Sequence, residues 1–500
     1  MNSTENVSSA RLPAVTGPEE YDLVMLGSGT GSKFLAWTFA EQGQRVVTVE
    51  HKYLGGACPN IACLPSKNII HSAKVASYFR RSREFGITTD SFMVNMPVVR
   101  ERKRRMVSDL IDLHRENYRR SGGDLILGSG RFIGPRTVEV TLPDGNTRRL
   151  RGTNVIISTG TRARLEAIPG LAESQPLTHV EALELDEVPE HLIVIGGGYV
   201  GLELSQAMRR FGSKVTVIER NHRLVHQEDD DVTEALHKLF EDEGIDVVLN
   251  ARIQRVSGKS GERVRVVLEQ DGVERRFEGT HLLAASGRAP NTEGIGLELA
   301  GVELTSDGYV KVNERLETTA PGVWAVGDVT GGPKFTHISF DDFHVIRDNT
   351  NGGNHVTTGR QVPFCLFTDP ELARVGVSEK QARTQGIAYR LFKIPMGEVL
   401  RARTLSETRG FLKALVETDG EGILGFTAFG ADAGEIMSGV QIAMIAGLPY
   451  TKLRDAVLTH PTMMEGLISL FSSASSAVTR SANAAGASLP AKRREANGKT

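Results

Sequence analysis

The chain has 500 residues, 40% of them hydrophobic and 24% charged; this length suggests about three domains and excludes a single small binding module. Its 59 basic and 61 acidic residues leave a net charge of −2, which argues against binding to nucleic acid or to a membrane surface. The chain has three cysteines, too few for a disulfide scaffold, and their spacing is not that of a zinc finger, so we predict no metal site. We find no membrane-spanning apolar run and no secretory signal, and we therefore expect a cytoplasmic protein.

A strand and a glycine-rich turn follow a lead-in, residues 1–20, that we predict to be disordered. The apolar segment YDLVML precedes GSGTGS, where Gly27 permits a tight turn and Gly29 lets backbone N–H groups approach a pyrophosphate. Ser32 stands where the dinucleotide fingerprint has a third glycine, so we expect looser contact between helix and strand there. Glu50 ends the next strand and is predicted to bind the ribose of an adenine dinucleotide.

Two cysteines follow in the segment GGACPNIACLPSK. Cys58 and Cys63 precede a helical stretch, and a thiol near a helix N-terminus has a lowered pKa and a populated thiolate. The short intervening loop permits reversible oxidation, so we predict a redox-active pair. The charged helical residues 68–121 are typical of a solvated helix face.

A second dinucleotide motif, GGGYVG, matches the full fingerprint after an apolar strand, with the glycines Gly196, Gly198 and Gly201. Glu219 ends the following strand, where a carboxylate accepts a hydrogen bond from a ribose 2′-OH and repels a 2′-phosphate. This favours NADH, while Arg220 and Arg223 directly after it keep NADPH as the alternative. Because Tyr21–Glu50 recurs as His191–Glu219, we predict two doubly wound parallel sheets.

Motifs along the chain carry a family resemblance that extends from Tyr21 to about Phe471. GGACPNIACLPSK, ISTGT, ASGRAPNT, TTAPGVWAVGDV and LTHPTMMEGL resemble the class I pyridine nucleotide–disulfide oxidoreductases, which include dihydrolipoamide dehydrogenase, glutathione reductase and mercuric reductase. Three further segments are most similar to the mercuric reductase-like branch that includes reactive-chlorine-resistance flavoproteins: GDVTGGPKFTHISFDDF, IPMGEVLRARTL and AGLPYTKLRDAVLTHPTMMEGLISLF. The chain lacks the C-terminal cysteine pair of true mercuric reductases, which counts against efficient Hg(II) reduction.

The resemblance implies an α/β fold with two Rossmann-like domains, one for FAD and one for NAD(P), and a C-terminal α+β dimerisation domain. The implied FAD-binding domain is split between residues 21–160 and 288–352, with the NAD(P)-binding domain between them at 161–287. The dimerisation domain follows at residues 353–473, and residues 474–500 form a disordered tail.

The resemblance also assigns roles to individual residues. Cys63 would lie against the flavin, Cys58 would exchange with the substrate, and His460, oriented by Glu465, would be the acid–base group. Lys67 and Glu203 would form an ion pair beside the flavin, and Tyr199 would gate the nicotinamide pocket. The remaining cofactor-binding residues would lie near the adenine, at the two chain crossovers and at the ribityl chain: Gly130, Thr159, Gly160, Gly287 and Asp328.

The implied function is transfer of electrons from NAD(P)H through FAD to a Cys58–Cys63 disulfide, and on to a small disulfide or other small-molecule acceptor. In this family the histidine reaches the partner subunit's disulfide, so the resemblance also implies a homodimer with a shared active site. Three alternatives stay open: oxidation of a dithiol by NAD⁺, as in dihydrolipoamide dehydrogenase; reduction of Hg(II) or Cu(II); and a redox-sensing flavoprotein without turnover.

Overall fold

The computed structural model describes residues 17–478. Most of the two segments predicted to be disordered, residues 1–20 and 474–500, lies outside this range. The prediction is wrong where these segments adjoin the folded chain, because residues there form strands. Glu19 begins the first strand, where it pairs with Leu150, and Ser476–Val478 forms an edge strand that pairs with Tyr389–Leu391. In both places, a neighbouring strand satisfies the backbone groups of residues that composition alone indicates as tail. Within residues 17–478, every helix is too short or too polar to cross a membrane.

Backbone contacts divide the chain into two units. Of the described residues, the first unit consists of residues 17–65, Glu101–Arg162 and Arg288–Arg360. The second consists of Ser66–Arg100, Ala163–Gly287 and residues 361–478. The helices Cys63–Arg80 and Met96–Ser121 each contain one of these boundaries.

The first unit is built on a seven-stranded sheet. The strand Glu19–Leu26 is parallel to its two neighbours in this sheet, with Val24 opposite both Val47 and Val155. These strands are buried on both faces, which explains their nearly continuous apolar sequences. Six strands follow one another in the order Asp124–Leu127, Val46–Glu50, Glu19–Leu26, Thr147–Ile157, Thr137–Thr141 and Ser129–Gly134, and Val323–Ala325 pairs in parallel with Thr147–Ile157.

Helices and short strands complete the first unit. One apolar core contains Val24 and Phe132, and a second contains Leu35 and Phe343. The remaining helical elements are Thr30–Glu41, Ala57–Asn60, Leu297–Ala300, the 3₁₀ turn Gly327–Thr330 and Thr336–Thr350, and a short strand pair at the unit boundaries is formed by Thr161–Ala163 and Arg288–Pro290.

The second unit contains a four-stranded parallel sheet in the order Asp246–Val248, Lys214–Ile218, His191–Ile195 and His281–Ala284. The sheet confirms the predicted repeat of strand, glycine turn, helix and strand. A three-stranded antiparallel sheet accompanies it, with strands Ala251–Lys259, Arg263–Gln270 and Val273–Gly279. The helical elements of this part are Ser82–Phe85, His179–Ala182, Tyr199–Phe211 and Asp230–Asp242.

A six-stranded antiparallel sheet forms the C-terminal part of the second unit. Its strands run in the order Phe364–Leu366, Glu371–Gly376, Ile423–Gly430, Phe411–Glu417, Tyr389–Pro395 and Ser476–Val478. Its core includes Phe426, Ile436 and Leu467. The helical elements here are Glu379–Gln385, Met396–Glu398, Leu400–Thr404, Ala433–Ile445, Tyr450–Arg454 and Gly466–Ser472. The two Rossmann-like sheets and this α+β part confirm the predicted fold class.

Residues 66–100 group with the second unit, although the implied FAD-binding domain includes them. Cations on the helix Cys63–Arg80 explain this grouping. Lys67 binds Glu203 at 2.7 Å and Lys74 binds Asp369 at 2.9 Å, while the guanidinium of Arg80 donates to the backbone oxygen of Arg210.

A cluster of three carboxylates in the second unit also has a structural explanation. Asp229, Asp231 and Glu379 lie close enough together to suggest a metal site. The ammonium group of Lys413, which is fully buried, instead lies 2.8 to 3.1 Å from all three. Because buried charges are stable only when they are paired, we interpret the cluster as a buried ion-pair network.

Candidate functional site

The glycine turn of the first unit leaves no room for side chains. A Cβ atom at Gly27, whose φ is +101°, would lie 2.4 Å from the backbone oxygen of Ser158, and one at Gly29 would lie 2.8 Å from Ser158 Oγ. Gly29 caps the helix Thr30–Glu41 without a side-chain hydrogen bond. The backbone N–H of Gly31 donates to Ser339 Oγ at 3.0 Å, and the other N–H groups at this helix N-terminus suit a phosphate, as expected for a dinucleotide.

The expectation of loose packing at Ser32 is wrong. Ser32 is fully buried, and its hydroxyl donates to the backbone oxygen of Gly27 at 2.7 Å. The hydroxyl thus fastens the helix to the turn. Close approach is required one residue earlier, because a Cβ at Gly31 would lie 2.2 Å from Cγ2 of Val326.

Glu50 ends the second strand of this unit and organises the turn. Its carboxylate accepts hydrogen bonds from the backbone N–H groups of Ser28, Lys52 and Tyr53, at 2.8 to 3.0 Å, and from the hydroxyl of Ser28. A ribose hydroxyl would therefore bind carboxylate oxygens that already accept these hydrogen bonds. Ribose binding is thus a proposed role for Glu50.

The cysteine pair lies on two consecutive helical segments. Cys58 belongs to the short helix Ala57–Asn60, and Cys63 is the first residue of a long helix. The sulfur of Cys63 lies 3.2 Å from Thr336 Oγ1, within hydrogen-bonding distance. A Cβ atom at Gly56 would lie only 2.8 Å from Cα of Gly29. The loop that carries Cys58 thus packs directly against the dinucleotide turn.

The pKa of Cys58 is raised, which corrects the expectation of a lowered value. The main cause is the hydrogen bond with Cys63, followed by burial, while Thr336 and Lys33 act in the opposite direction. Two adjacent thiols resist carrying two negative charges at once. The reduced pair is accordingly expected to carry a single negative charge, with one of its two sulfurs protonated.

Other predicted FAD-binding residues also lie in the first unit. The hydroxyl of Thr159 is buried without a hydrogen-bond partner, and Gly160 adopts a φ of +64°. Asp328 lies on a 3₁₀ turn, where its carboxylate accepts from Thr161 at 2.7 Å. A Cβ atom at Gly130 would lie 2.5 Å from a methyl group of Leu26. A buried hydroxyl without a hydrogen-bond partner and glycines that leave no room for a side chain fit a bound dinucleotide, so these residues fit FAD.

The second unit carries the second nucleotide turn. A Cβ atom at Gly196 would lie 2.6 Å from the backbone oxygen of Ala285, and one at Gly201 would lie 2.1 Å from that of Gly196. A Cβ at Gly198, by contrast, would meet no protein atom within 4 Å, and Gly198 caps the helix Tyr199–Phe211 without a side-chain hydrogen bond. Gly287, with φ +133°, accepts from the backbone N–H of Arg164 at the return crossover. These residues fit a pyridine nucleotide.

The acidic residue of this second turn repeats the arrangement of the first. Glu219 accepts from the backbone N–H of Gly197 at 2.6 Å and from that of Asn221 at 2.8 Å. Arg223 pairs with Asp230, and Arg220 is largely exposed. A carboxylate therefore lies directly at the glycine turn.

Lys67, Glu203 and Tyr199 lie close to one strand of the second unit. The Lys67 ammonium lies 2.7 Å from Glu203, whose other oxygen accepts from the backbone N–H of Phe367. Tyr199 stacks on Phe364 with ring centroids 5.4 Å apart. Burial raises the pKa of Tyr199, so its hydroxyl stays neutral.

His460 and Glu465 form a contact at the C-terminal end of the second unit. Nδ1 of His460 lies 3.1 Å from both carboxylate oxygens of Glu465, and the imidazole is 64% exposed. A hydrogen bond from the backbone N–H of Thr462 lowers the pKa of Glu465, and His460 lowers it further. The carboxylate of Glu465 is thus held in place by the Thr462 N–H and orients the imidazole through Nδ1. The other ring nitrogen, Nε2, remains available on the exposed side of the ring.

Three residues that the sequence motifs did not indicate contact the predicted site of the first unit. Thr336 contacts Cys63, Lys33 acts electrostatically on Cys58, and His114 binds Lys33. One signal was present in the sequence: Lys33 interrupts the apolar stretch of its helix, TGSKFLAW, and is nevertheless buried. Nothing local in the sequence marks Thr336 or His114, because tertiary packing brings them to the cysteine loop.

Comparisons with known proteins agree with these observations. The family described as pyridine nucleotide-disulphide oxidoreductase matches residues 21–342, and the dimerisation domain of that family matches residues 362–470. The chain is 35% identical over 458 residues to the probable pyridine nucleotide-disulfide oxidoreductase RclA of Escherichia coli, covering 91% of this chain and 99% of the relative. It is 33% identical over 470 residues to a mercuric reductase of Lysinibacillus sphaericus, covering 93% and 84%.

A solved structure is also similar to this chain. It is described as a Cu(II) complex of the HOCl-induced flavoprotein disulfide reductase RclA from Escherichia coli. The TM-score is 0.82 with 34% sequence identity, and the match covers 91% of this chain and 99% of that structure.

Proposed function

Because this chain belongs to the pyridine nucleotide–disulphide oxidoreductase family, we propose that it passes electrons from NAD(P)H to a disulfide of Cys58 and Cys63 and on to a small acceptor. One observation carries this proposal: the loop of Cys58 packs against the dinucleotide turn, with Gly56 directly on Gly29. Bound FAD supplies the step between nucleotide and sulfur, since it accepts a hydride and delivers two electrons. The chain's own residues bind the cofactors, stabilise negative charge on the sulfurs and transfer protons.

The two cysteines have different proposed roles. The hydroxyl of Thr336 lies 3.2 Å from the sulfur of Cys63, where it can donate a hydrogen bond that stabilises negative charge on the sulfur. The pKa of Cys58 is raised, chiefly by its hydrogen bond with Cys63, which favours a protonated Cys58. We therefore assign the thiolate of the reduced pair to Cys63 and the exchange with the acceptor to Cys58, which loses its proton in that exchange.

For the nucleotide, the position of Glu219 favours NADH over NADPH. Its carboxylate lies at the glycine turn, where a 2′-phosphate would be repelled and a 2′-OH would be bound. Arg223 is paired with Asp230 and is therefore less available to a phosphate. The ratio of kcat/KM for the two nucleotides tests this preference, and Glu219→Gln should narrow the ratio.

We further propose a homodimer in which His460 of one subunit serves the cysteine pair of the other. The match to the family's dimerisation domain supports it. So do exposed apolar side chains preceding His460 in the second unit, because Ile442 and Ile445 are 68% and 70% exposed and Val457 is fully exposed. A second copy of the chain would cover these side chains, and Ile442→Glu should yield monomers in sedimentation.

The acceptor that we favour is a small disulfide. A metal ion is the second candidate, because relatives include a mercuric reductase and a structure described as a Cu(II) complex, and thiolates bind soft metals. Cys365, the remaining cysteine, is half-buried and packs against the apolar core of the C-terminal part of the second unit.

A panel of acceptors tests the proposed function. NADH oxidation would be followed with small disulfides, oxidised lipoamide, Cu(II), Hg(II) and quinones, for wild type and for Cys58→Ser. We expect turnover with at least one disulfide and its loss in Cys58→Ser. Equal rates in both proteins with every acceptor would reject the role of the cysteine pair.

A further inference from the structure

A buried cation lies behind the cysteine loop in the first unit. Lys33 and His114 are each only 7% exposed, and the Lys33 ammonium lies 2.8 Å from Nε2 of His114 and 3.4 Å from the backbone oxygen of Gly55. The aromatic rings of Phe34 and Trp37 complete its surroundings at 5.9 Å. Lys33 is thus held in one place by neutral groups.

This cation has no anionic partner of the usual kind. Of the residues from 17 to 478, no carboxylate forms an ion pair with Lys33. A buried charge without a counter-charge is costly in free energy. The arrangement therefore becomes more favourable when a negative charge comes near Lys33.

Cys58 is the ionisable group that supplies such a charge. Its electrostatic interaction with Lys33 raises the lysine's pKa, and the same interaction lowers the pKa of Cys58. The Lys33–His114 pair also contacts the backbone of the loop that carries Cys58. Gly55, three residues before Cys58, binds Lys33 through its backbone oxygen, and a Cβ at Gly55 would lie 2.8 Å from the imidazole of His114.

We infer that Lys33, oriented by His114, is a positioning residue that stabilises the negative charge arising on Cys58 when the disulfide is opened. The inference rests on the proposed redox role of the cysteine pair. Two electrons break the S–S bond and leave two sulfur anions, and one proton taken from water neutralises one of them. Lys33 acts on the Cys58 anion through its charge and transfers no proton.

The ionisation state of the pair at neutral pH suits this role. Burial lowers the pKa of Lys33 to about 8, so most of the lysine is charged at pH 7. Burial and Lys33 lower the pKa of His114 to about 4, so the imidazole is neutral and its Nε2 accepts from the ammonium. Tyr118, on the same helix as His114, is neutral as well, because burial raises its pKa.

The test measures Cys58 without turnover. In a Cys63→Ser background, which removes the second thiol, the pH profile of Cys58 alkylation by iodoacetamide is followed by peptide mass spectrometry on the FAD-loaded protein. Lys33→Met and Lys33→Gln both remove the charge, and Lys33→Gln keeps a hydrogen-bonding group for His114. Lys52→Met, which removes an exposed lysine near the same loop, is the matched control.

We expect the alkylation midpoint to rise by about one to three pH units in both Lys33 variants, the range for loss of a nearby opposite charge, and to stay unchanged in Lys52→Met. An unchanged midpoint in Lys33→Gln would overturn the inference, as would loss of FAD with an unaltered Cys58 profile. Because the profile needs no acceptor, it can fail while Cys58→Ser still abolishes turnover. The two proposals are thus tested separately.

Discussion

The sulfur of Cys63 lies 3.2 Å from the hydroxyl of Thr336, at the start of the helix Thr336–Thr350. A hydroxyl that donates a hydrogen bond to Cys63 favours its thiolate, and the same threonine also lowers the pKa of Cys58. The pKa of Cys58 is nevertheless raised, chiefly by its hydrogen bond with Cys63, so we assign the proton of the reduced pair to Cys58.

The two cysteines should therefore respond differently to substitution. Cys58→Ser leaves the Cys63 thiolate unpaired, so a long-wavelength absorbance band of the FAD-loaded protein is expected without added reductant. Cys63→Ser should lack the band under all conditions, and Thr336→Val should weaken it in Cys58→Ser. Absorbance spectra between pH 6 and 9 check this, and the opposite pattern would exchange the two assigned roles.

The glycines of the second nucleotide turn separate binding from folding. Gly198→Ala adds a Cβ that meets no protein atom within 4 Å, and its backbone, with φ −93°, accepts any residue. We expect a normal melting temperature and about a tenfold rise in KM for NADH, which corresponds to ~1.4 kcal/mol.

Gly201→Ala is the contrasting variant, because its Cβ would lie 2.1 Å from the backbone oxygen of Gly196. It should lose about 1–3 kcal/mol of stability through overpacking. Equal melting temperatures for the two variants would contradict this distinction.

His460 should matter for the acceptor and not for the nucleotide. His460→Ala is expected to slow disulfide turnover by about 10²–10⁴-fold, the range for a lost general acid–base. Stopped-flow reduction of the flavin by NADH should hardly change. Glu465→Gln should cause a smaller loss, because it only orients the imidazole. If turnover survives intact in His460→Ala, the acceptor needs no proton from this group.

His114 should contribute to acid sensitivity. Its pKa is about 4 in the folded chain against an ordinary value of 6.5, so the unfolded chain binds a proton that the folded chain excludes in this window. Stability should consequently fall as the pH drops from 6.5 toward 4, by about 3 kcal/mol in total. His114→Gln should lose less stability over this window than wild type, measured by chemical denaturation, whereas the exposed His222→Gln should behave as wild type.

The sequence predicts most of the fold because its signals are local. The strand, glycine turn and acidic strand end occur twice in short windows, and the structure has them at Glu19–Glu50 and His191–Glu219. Packing detail is less accessible to sequence. The hydroxyl of Ser32 replaces the expected third glycine by bonding to Gly27, and Lys33 becomes buried because His114, remote in sequence, supplies an acceptor.

The central claim is that Cys58 and Cys63 form an electron-accepting disulfide in series with the flavin. An anaerobic titration of the oxidised, FAD-loaded protein with dithionite, counted in electrons per flavin, tests it most directly. We predict about four electrons for wild type, two for the flavin and two for the disulfide, and about two for Cys58→Ser. Uptake of the same number of electrons by both proteins would contradict the account.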